Sequence, residues 1–117
     1  MICHVTVRTA KLAETAEFYK WLLDIPVSRK INNPMAEIIF LGNDETKLEL
    51  IRDDKAGKIN AKGLTIGFAT DDLEAKISML NDRQIPHSEI LSPMPGTRFV
   101  YFNDLNGCEI QLFEQGK

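Results

Sequence analysis

The sequence predicts an α+β fold of two consecutive βαβββ modules, and three observations carry that expectation. The chain of 117 residues repeats itself. Ile2-Cys3-His4-Val5-Thr6-Val7 is matched by Gly63-Leu64-Thr65-Ile66-Gly67-Phe68, Ile25-Pro26-Val27-Ser28 by Ile85-Pro86-His87-Ser88, and Lys47-Leu48-Glu49-Leu50-Ile51 by Glu109-Ile110-Gln111-Leu112-Phe113, at offsets of 61, 60 and 62 residues. Both copies also keep one order of patterns: a strand-type alternation, a stretch of helical period, then three strand-type runs. Finally, Arg52 to Lys62 is charged, contains Gly and lacks periodicity, which is the composition of a linker. The expected organisation is one domain over 1–117, with module 1 at 1–52, a linker at 53–62 and module 2 at 63–117. The modules are expected to form an open, cupped eight-stranded sheet, each with one helix on the convex face.

Each element has its own reason. Residues 2–8 alternate and are rich in β-branched side chains, so they predict a strand. Leu12, Ala16, Tyr19, Leu22 and Leu23 recur at helical spacing from Lys11 to Leu23. Pro26 cannot continue that helix and pushes Ile25 toward extended geometry. Strands are expected at 26–31, 35–41 and 47–52. Between the last two, Gly42-Asn43-Asp44-Glu45 is turn chemistry, with Gly42 and Asn43 tolerating positive φ. In module 2 a strand at 63–69 precedes a helix with Asp71 as N-cap, Glu74 as its capping-box partner, and Leu73, Ile77 and Leu80 as its apolar stripe. Strands are expected at 86–91, 97–103 and 108–114. Pro93-Met94-Pro95-Gly96 is the loop between the first two. Asp104-Leu105-Asn106-Gly107 is a tight turn between the last two, with Gly107 as its left-handed residue.

Composition narrows the function classes. At 44% apolar and 26% charged residues, the chain is of the globular type. Its net charge is −3 and no Lys/Arg cluster follows one element, so nucleic acid is not an expected partner. No apolar run approaches a bilayer span, so no membrane partner is expected. No charged segment followed by an apolar stretch opens the sequence, and the expected location is cytoplasmic. The two cysteines, Cys3 and Cys108, are too few for a disulfide framework. Both fit the apolar side of their strands, as buried reduced thiols.

Strand parity then sorts the side chains. Val5 and Val7, Leu48 and Leu50, Leu64, Ile66 and Phe68, and Ile110 and Leu112 form apolar faces for the helices to cover. The opposite faces carry His4, Thr6 and Arg8, then Lys47 and Glu49, then Thr65 and Gly67, then Glu109 and Gln111. A solvated sheet face has this composition too. The repeat adds that His4 is equivalent to Thr65 and Glu49 to Gln111. If each half curves into a cup, these four positions converge on a cavity that suits a small molecule. Phe99, Tyr101, Phe102 and Phe113 are candidates for aromatic walls or ordinary core. His87 is expected to be solvated, Arg8 and Arg98 to pair with surface carboxylates, and Met94 to be a loop hydrophobe. Trp21 is expected at a subunit or module contact.

His4-Val5-Thr6-Val7 with Phe18-Tyr19 and Leu22-Leu23, then Phe68-Ala69-Thr70-Asp71-Asp72-Leu73, then the run from Gly96-Thr97-Arg98 through Tyr101-Phe102 and Asp104-Leu105-Asn106-Gly107 to Glu109-Ile110-Gln111 occur in an order that resembles the vicinal oxygen chelate superfamily. That superfamily includes glyoxalase I, bleomycin-resistance proteins and ring-cleaving dioxygenases. The resemblance covers nearly the whole chain. It implies a divalent metal held by one residue from each of four strands, at positions that fall here on His4, Glu49, Thr65 and Gln111. Thr65 stands where a His is common and Gln111 where a Glu is common. A hydroxyl is a poor donor to a divalent ion and an amide oxygen a modest one.

The expectation is therefore a small-molecule-binding protein with a degenerate metal site. His4, Thr65, Gln111 and Tyr101 are its ligand-binding residues, and no metal is tightly bound. The alternative is a metal-dependent glyoxalase-like lyase or isomerase. In that case His4, Glu49 and Gln111 are ligands to Ni, Zn, Mn or Fe, Glu49 is the catalytic carboxylate, and Glu109 lies one pleat away. A third reading is a structural or regulatory domain whose polar face is filled or covered. The resemblance also implies a homodimer, since open sheets leave edges that need cover.

Overall fold

The computed structural model describes residues 1–43 and 46–115. Asp44 and Glu45 of the expected 42–45 turn lie outside the described residues. The chain divides into two compact units, Met1–Gly57 and Lys58–Lys117. In the first, strand β1 (His4–Thr9) leads to helix α1 (Leu12–Leu23) and then to β2 (Val27–Asn33), β3 (Ala36–Leu41) and β4 (Lys47–Arg52). In the second, β5 (Ile66–Ala69) leads to α2 (Leu73–Asp82), β6 (Leu91–Met94), β7 (Thr97–Asn103) and β8 (Glu109–Gln115). The strands hydrogen-bond as two sheets of four, ordered β1-β4-β3-β2 and β5-β8-β7-β6. Fold class and module topology are thus those the repeat predicts.

One register serves both units. β1 runs parallel to β4 with Val5 opposite Leu48, Thr6 opposite Glu49 and Val7 opposite Leu50. β5 runs parallel to β8 with Ile66 opposite Ile110, Gly67 opposite Gln111 and Phe68 opposite Leu112. The antiparallel neighbours agree: Phe40 faces Glu49 as Tyr101 faces Gln111. A parallel pair needs a crossover, and the helix that supplies it covers one face. Leu48, Leu50, Phe18, Tyr19 and Leu22 are buried in the first unit, and Leu73, Leu80, Val100, Phe102, Ile110 and Leu112 in the second. At roughly 25 cal/mol per Å² of apolar area removed from water, burial of these side chains is the main stabilising term.

The helix ends show why local signals sometimes mislead. In both units a threonine just before the helix accepts a backbone N–H two residues on: Lys11 N to Thr9 Oγ1 at 2.8 Å and Asp72 N to Thr70 Oγ1 at 3.2 Å. In the second unit this turn makes Asp72, not Asp71, the N-cap, and its Oδ1 accepts Ala75 N–H at 3.0 Å. Glu74 is not a capping-box partner; its carboxylate pairs with Arg98 at 2.7 Å. Helix α1 buries Thr15 and Phe18 in place of the expected Ala16 and Leu23, and ends at Asp24 in the left-handed conformation, φ 52°.

Other expectations shift. β5 starts at Ile66 rather than at 63, because Ala61–Leu64 closes a turn with Leu64 N donating to Ala61 O at 3.2 Å, leaving Leu64 exposed. The strand expected at 86–91 lies instead at Leu91–Met94. Pro86 removes a donor from the earlier stretch, where His87 makes only an isolated bridge to Phe102. The 93–96 loop is correspondingly a two-residue hairpin turn on Pro95-Gly96, with Gly96 at φ 79°. His87 is not simply solvated: Nδ1 lies 2.7 Å from Ser88 O and Nε2 lies 2.8 Å from Asn81 Oδ1. Cys3 precedes the first paired residue and is exposed, whereas Cys108 is buried as expected. The turn at 104–107 forms as predicted. Asp104 Oδ1 accepts Asn106 and Cys108 N–H at 2.8 and 2.9 Å, and Gly107 takes φ 87°.

Candidate functional site

The face of each sheet opposite its helix carries the candidate residues. In the first unit β1 presents His4 and Thr6, and β4 presents Glu49. Glu49 is 9% exposed, and its Oε1 accepts the Thr6 hydroxyl at 2.5 Å and lies 3.4 Å from His4 Nε2. The His4 ring meets Phe40 edge-on at 6.0 Å, and its Nδ1 is 3.4 Å from Cys3 Sγ. The buried carboxylate is therefore satisfied by a hydroxyl and an imidazole from the neighbouring strand, as a charge at that depth requires.

In the second unit the same positions hold different groups. Thr65 replaces His4, Gly67 replaces Thr6, Gln111 replaces Glu49 and Tyr101 replaces Phe40. The Thr65 hydroxyl donates to Glu109. A Cβ on Gly67 would lie 3.1 Å from Gln111 Oε1, so the missing side chain leaves room for the Gln111 amide over the strand. Beside Gln111, Phe99 stacks on Phe113 at 6.1 Å and 13° and meets Tyr101 edge-on at 5.5 Å. Cross-strand register places Phe99 with Phe113 and Tyr101 with Gln111 on the open face, whereas Phe102 pairs with Ile110 and is buried. Parity alone could not orient the run 99–102; the pairing does. A shallow cavity of about 240 Å³ adjoins this face, lined by Ser88, Tyr101, Asn103 and Glu109 among others.

The structure thus brings His4 and Glu49 together in the first unit, and sets Tyr101 and Gln111 on the second sheet with Thr65 just before its strand β5. Thr6 and Phe40, the neighbours of the pair, do not stand out in the sequence. Their signal was the register itself, since Thr6 and Phe40 flank Glu49 on the two adjacent strands.

For a divalent metal, the first unit offers one imidazole and one carboxylate, already in contact. Among the described residues no group of three or more His, Cys, Asp and Glu side chains is placed to hold a metal ion. Structural and catalytic zinc sites take three or four protein donors, so this pair does not fit a tightly held ion.

Away from the open face, the helix-covered side of the second unit holds a buried charge that the apolar pattern hid. Glu114 is 1% exposed. Its Oε1 accepts Arg98 Nε and Nη2 at 3.0 and 2.8 Å, and its Oε2 accepts Leu73 N–H at the start of α2 at 2.7 Å. The neighbouring carboxylates Glu74 and Glu114 push the Arg98 pKa further up. Burial, with Asp104 and Glu109 adding to it, pushes the Cys108 thiol up to about 11.

The βαβββ frame thus occurs twice, with polar and aromatic side chains on the open face of the second unit. The chain belongs to the glyoxalase/bleomycin resistance protein/dioxygenase superfamily, whose family model matches residues 1–112. Among solved structures, it is similar to the trypanothione-dependent glyoxalase I of Leishmania major, with a TM-score of 0.81, 21% identity, and coverage of 97% of this chain and 86% of that one. A glyoxalase family protein from Enterococcus faecalis matches with a TM-score of 0.76 and 24% identity, over 97% of each chain. An antibiotic-binding protein from a Streptomyces species matches with a TM-score of 0.73 and 16% identity, over 99% of this chain and 96% of that one. At such identities the likeness is one of fold. No curated protein matches the chain. No helix is long and apolar enough to cross a membrane.

Proposed function

We propose that this protein binds a flat, unsaturated small molecule without a tightly held metal. The observation that carries this reading is the donor chemistry of the equivalent positions. The His4–Glu49 pair is answered in the second unit by Thr65 and Gln111, which are neutral. The Phe99–Phe113 stack and Tyr101 give a ligand ring surfaces to lie against. Aromatic contacts of this kind contribute about 0.5–1.5 kcal/mol beyond burial. His4, Thr65 and Gln111 then act as hydrogen-bonding groups, and Glu49 holds the His4 ring in place. The superfamily contains both enzymes and binders, and an antibiotic-binding protein shares the fold. The protein is also proposed to be a homodimer: the seven-residue edge strand β2 is exposed along nearly its whole length and is the kind of edge that pairing covers.

The test combines metal analysis with ligand screening. Protein purified without chelator or affinity tag is expected to carry far less than one metal per chain. Ni²⁺, Zn²⁺ or Mn²⁺ is expected to leave Tm unchanged, since a real site would raise it by mass action. Aromatic fragments detected by saturation-transfer NMR are expected to lose binding in Tyr101→Ala and Gln111→Ala, and to weaken in His4→Ala. Binding unchanged in all three variants removes the proposal. Stoichiometric metal, together with lactoylglutathione lyase activity that Glu49→Ala abolishes, puts the lyase reading in its place.

A further inference from the structure

The two units carry one cross-strand ion pair with its polarity reversed. On β7 and β8, Arg98 pairs with Glu114. At the equivalent positions of β3 and β4, Glu37 pairs with Arg52 at 3.0 Å. In the second unit the β8 carboxylate reaches under the helix and accepts Leu73 N–H. In the first unit the β4 residue is a cation. Leu12, the counterpart of Leu73, receives no side-chain carboxylate among the described residues. The Arg52 side chain turns outward, its Nε to Asp54 at 3.1 Å and its Nη1 to Glu37.

What the second unit fills with Glu114, the first leaves open. A cavity of about 390 Å³ lies between the first turn of α1 and strands β2, β3 and β4. That volume is at the small end of the range for ligand pockets, roughly 300–1,000 Å³. Leu12, Ala13 and Ile39 give it an apolar wall on the helix-covered side, and Lys30 and Arg52 are its two cations. Neither the Lys30 ammonium nor the Nη2 group of Arg52 has a partner among the described residues.

We propose that this cavity binds a small apolar monocarboxylate, whose carboxylate takes the place that Glu114 occupies in the other unit. Arg52 Nη2 and Lys30 supply charge-assisted hydrogen bonds, and the apolar tail lies against Leu12, Ala13 and Ile39. Glu14 and Glu37 belong to the same lining. They balance the two cations, so the cavity admits one negative charge and disfavours a polyanion. This site is separate from the open faces and independent of the function proposed for them.

Titration of ¹⁵N-labelled protein with octanoate tests the assignment, with 1-octanol as the neutral control. The amide signals of Leu12, Ala13 and Ile39 are expected to shift saturably with octanoate, while those of His4 and Gln111 stay in place. Loss of one charge-assisted contact in Arg52→Gln or Lys30→Gln is expected to weaken binding about tenfold, and 1-octanol to bind at least about tenfold more weakly than octanoate. Lys30 is exposed on an edge strand, so its variant tests the contact without threatening the fold. The double variant Glu37→Arg with Arg52→Glu, which copies the second unit, is expected to abolish binding. The proposal is overturned by the absence of saturable shifts up to about 10 mM octanoate, a range that covers millimolar affinity. It is equally overturned by shifts confined to the open faces, by equal binding of the alcohol, or by unchanged affinity in both single variants.

Discussion

The two units thread the same βαβββ path with the same strand register, yet their charges sit at different depths. In the first, the Arg52–Glu37–Asp54 cluster is largely exposed, with more than a third of each side chain open to solvent. In the second, Arg98 links exposed Glu74 to Glu114, which is 1% exposed. On the open faces the order reverses: the first unit carries the buried charge, Glu49, and the second carries neutral Gln111 at the equivalent position. Register decides where a side chain stands. Burial decides what that standing is worth, because a charge taken out of water needs partners and one left in water does not.

The largest expected effect follows from that difference. Glu114→Ala removes the carboxylate that joins β7, β8 and α2, leaves Arg98 with exposed Glu74 and takes the carboxylate from Leu73 N–H, and is expected to cost about 2–3 kcal/mol. Arg52→Ala is expected to leave stability unchanged, because its ion pairs are exposed. Urea midpoints of the two variants measure the contrast, and equal losses would mean that depth does not separate the clusters.

Smaller effects sharpen it. Gly107 stands at φ 87°, and a Cβ there would lie 3.1 Å from Ile59 O, so Gly107→Ala is expected to cost about 1–2 kcal/mol. Gly57→Ala, with nothing within 4 Å of the added atom, is expected to be close to neutral in the same denaturation assay. Thr6→Val deletes the hydroxyl donated to Glu49 and is expected to cost about 1 kcal/mol. A thermal scan showing no loss would leave His4 as the partner that satisfies the carboxylate.

The smallest effect concerns the thiols. Cys108 is buried and its pKa is pushed up to about 11, whereas Cys3 is exposed. At pH 8 iodoacetamide is expected to label Cys3 well ahead of Cys108, since the thiolate is the reactive form. A raised thiol pKa favours the fold while the group is protonated. That contribution is complete below about 9 and is lost as pH rises toward about 11. Mass spectrometry of the labelled protein reads the first expectation, and melting temperature against pH reads the second.

Much of this was legible along the chain. The offsets of the repeat showed the βαβββ order, and parity found the His4–Glu49 and Thr65–Gln111 positions, because strand side chains alternate with a period that sequence preserves. The helix starts were blurred by one residue, since Asp71 and Asp72 are equally good caps and only the Thr70 hydroxyl bond chooses between them. Glu114 was missed because a carboxylate two residues after Leu112 reads as the solvated end of a strand. Arg98, brought alongside by cross-strand pairing, and the Leu73 N–H at the start of α2 make its burial tolerable.

The sequence by itself determined the duplicated topology, the class of side chain at each position, and the resemblance that led to the superfamily. These depend on local periodicity and on spacing along one dimension. Only the tertiary structure decided that Phe99 and Phe113 stack on the open face, that Thr6 caps Glu49, and that the ion pair of one unit is buried while its mirror in the other is wet. Those outcomes depend on which strands lie side by side and how much water reaches between them, and neither quantity is written in the order of residues.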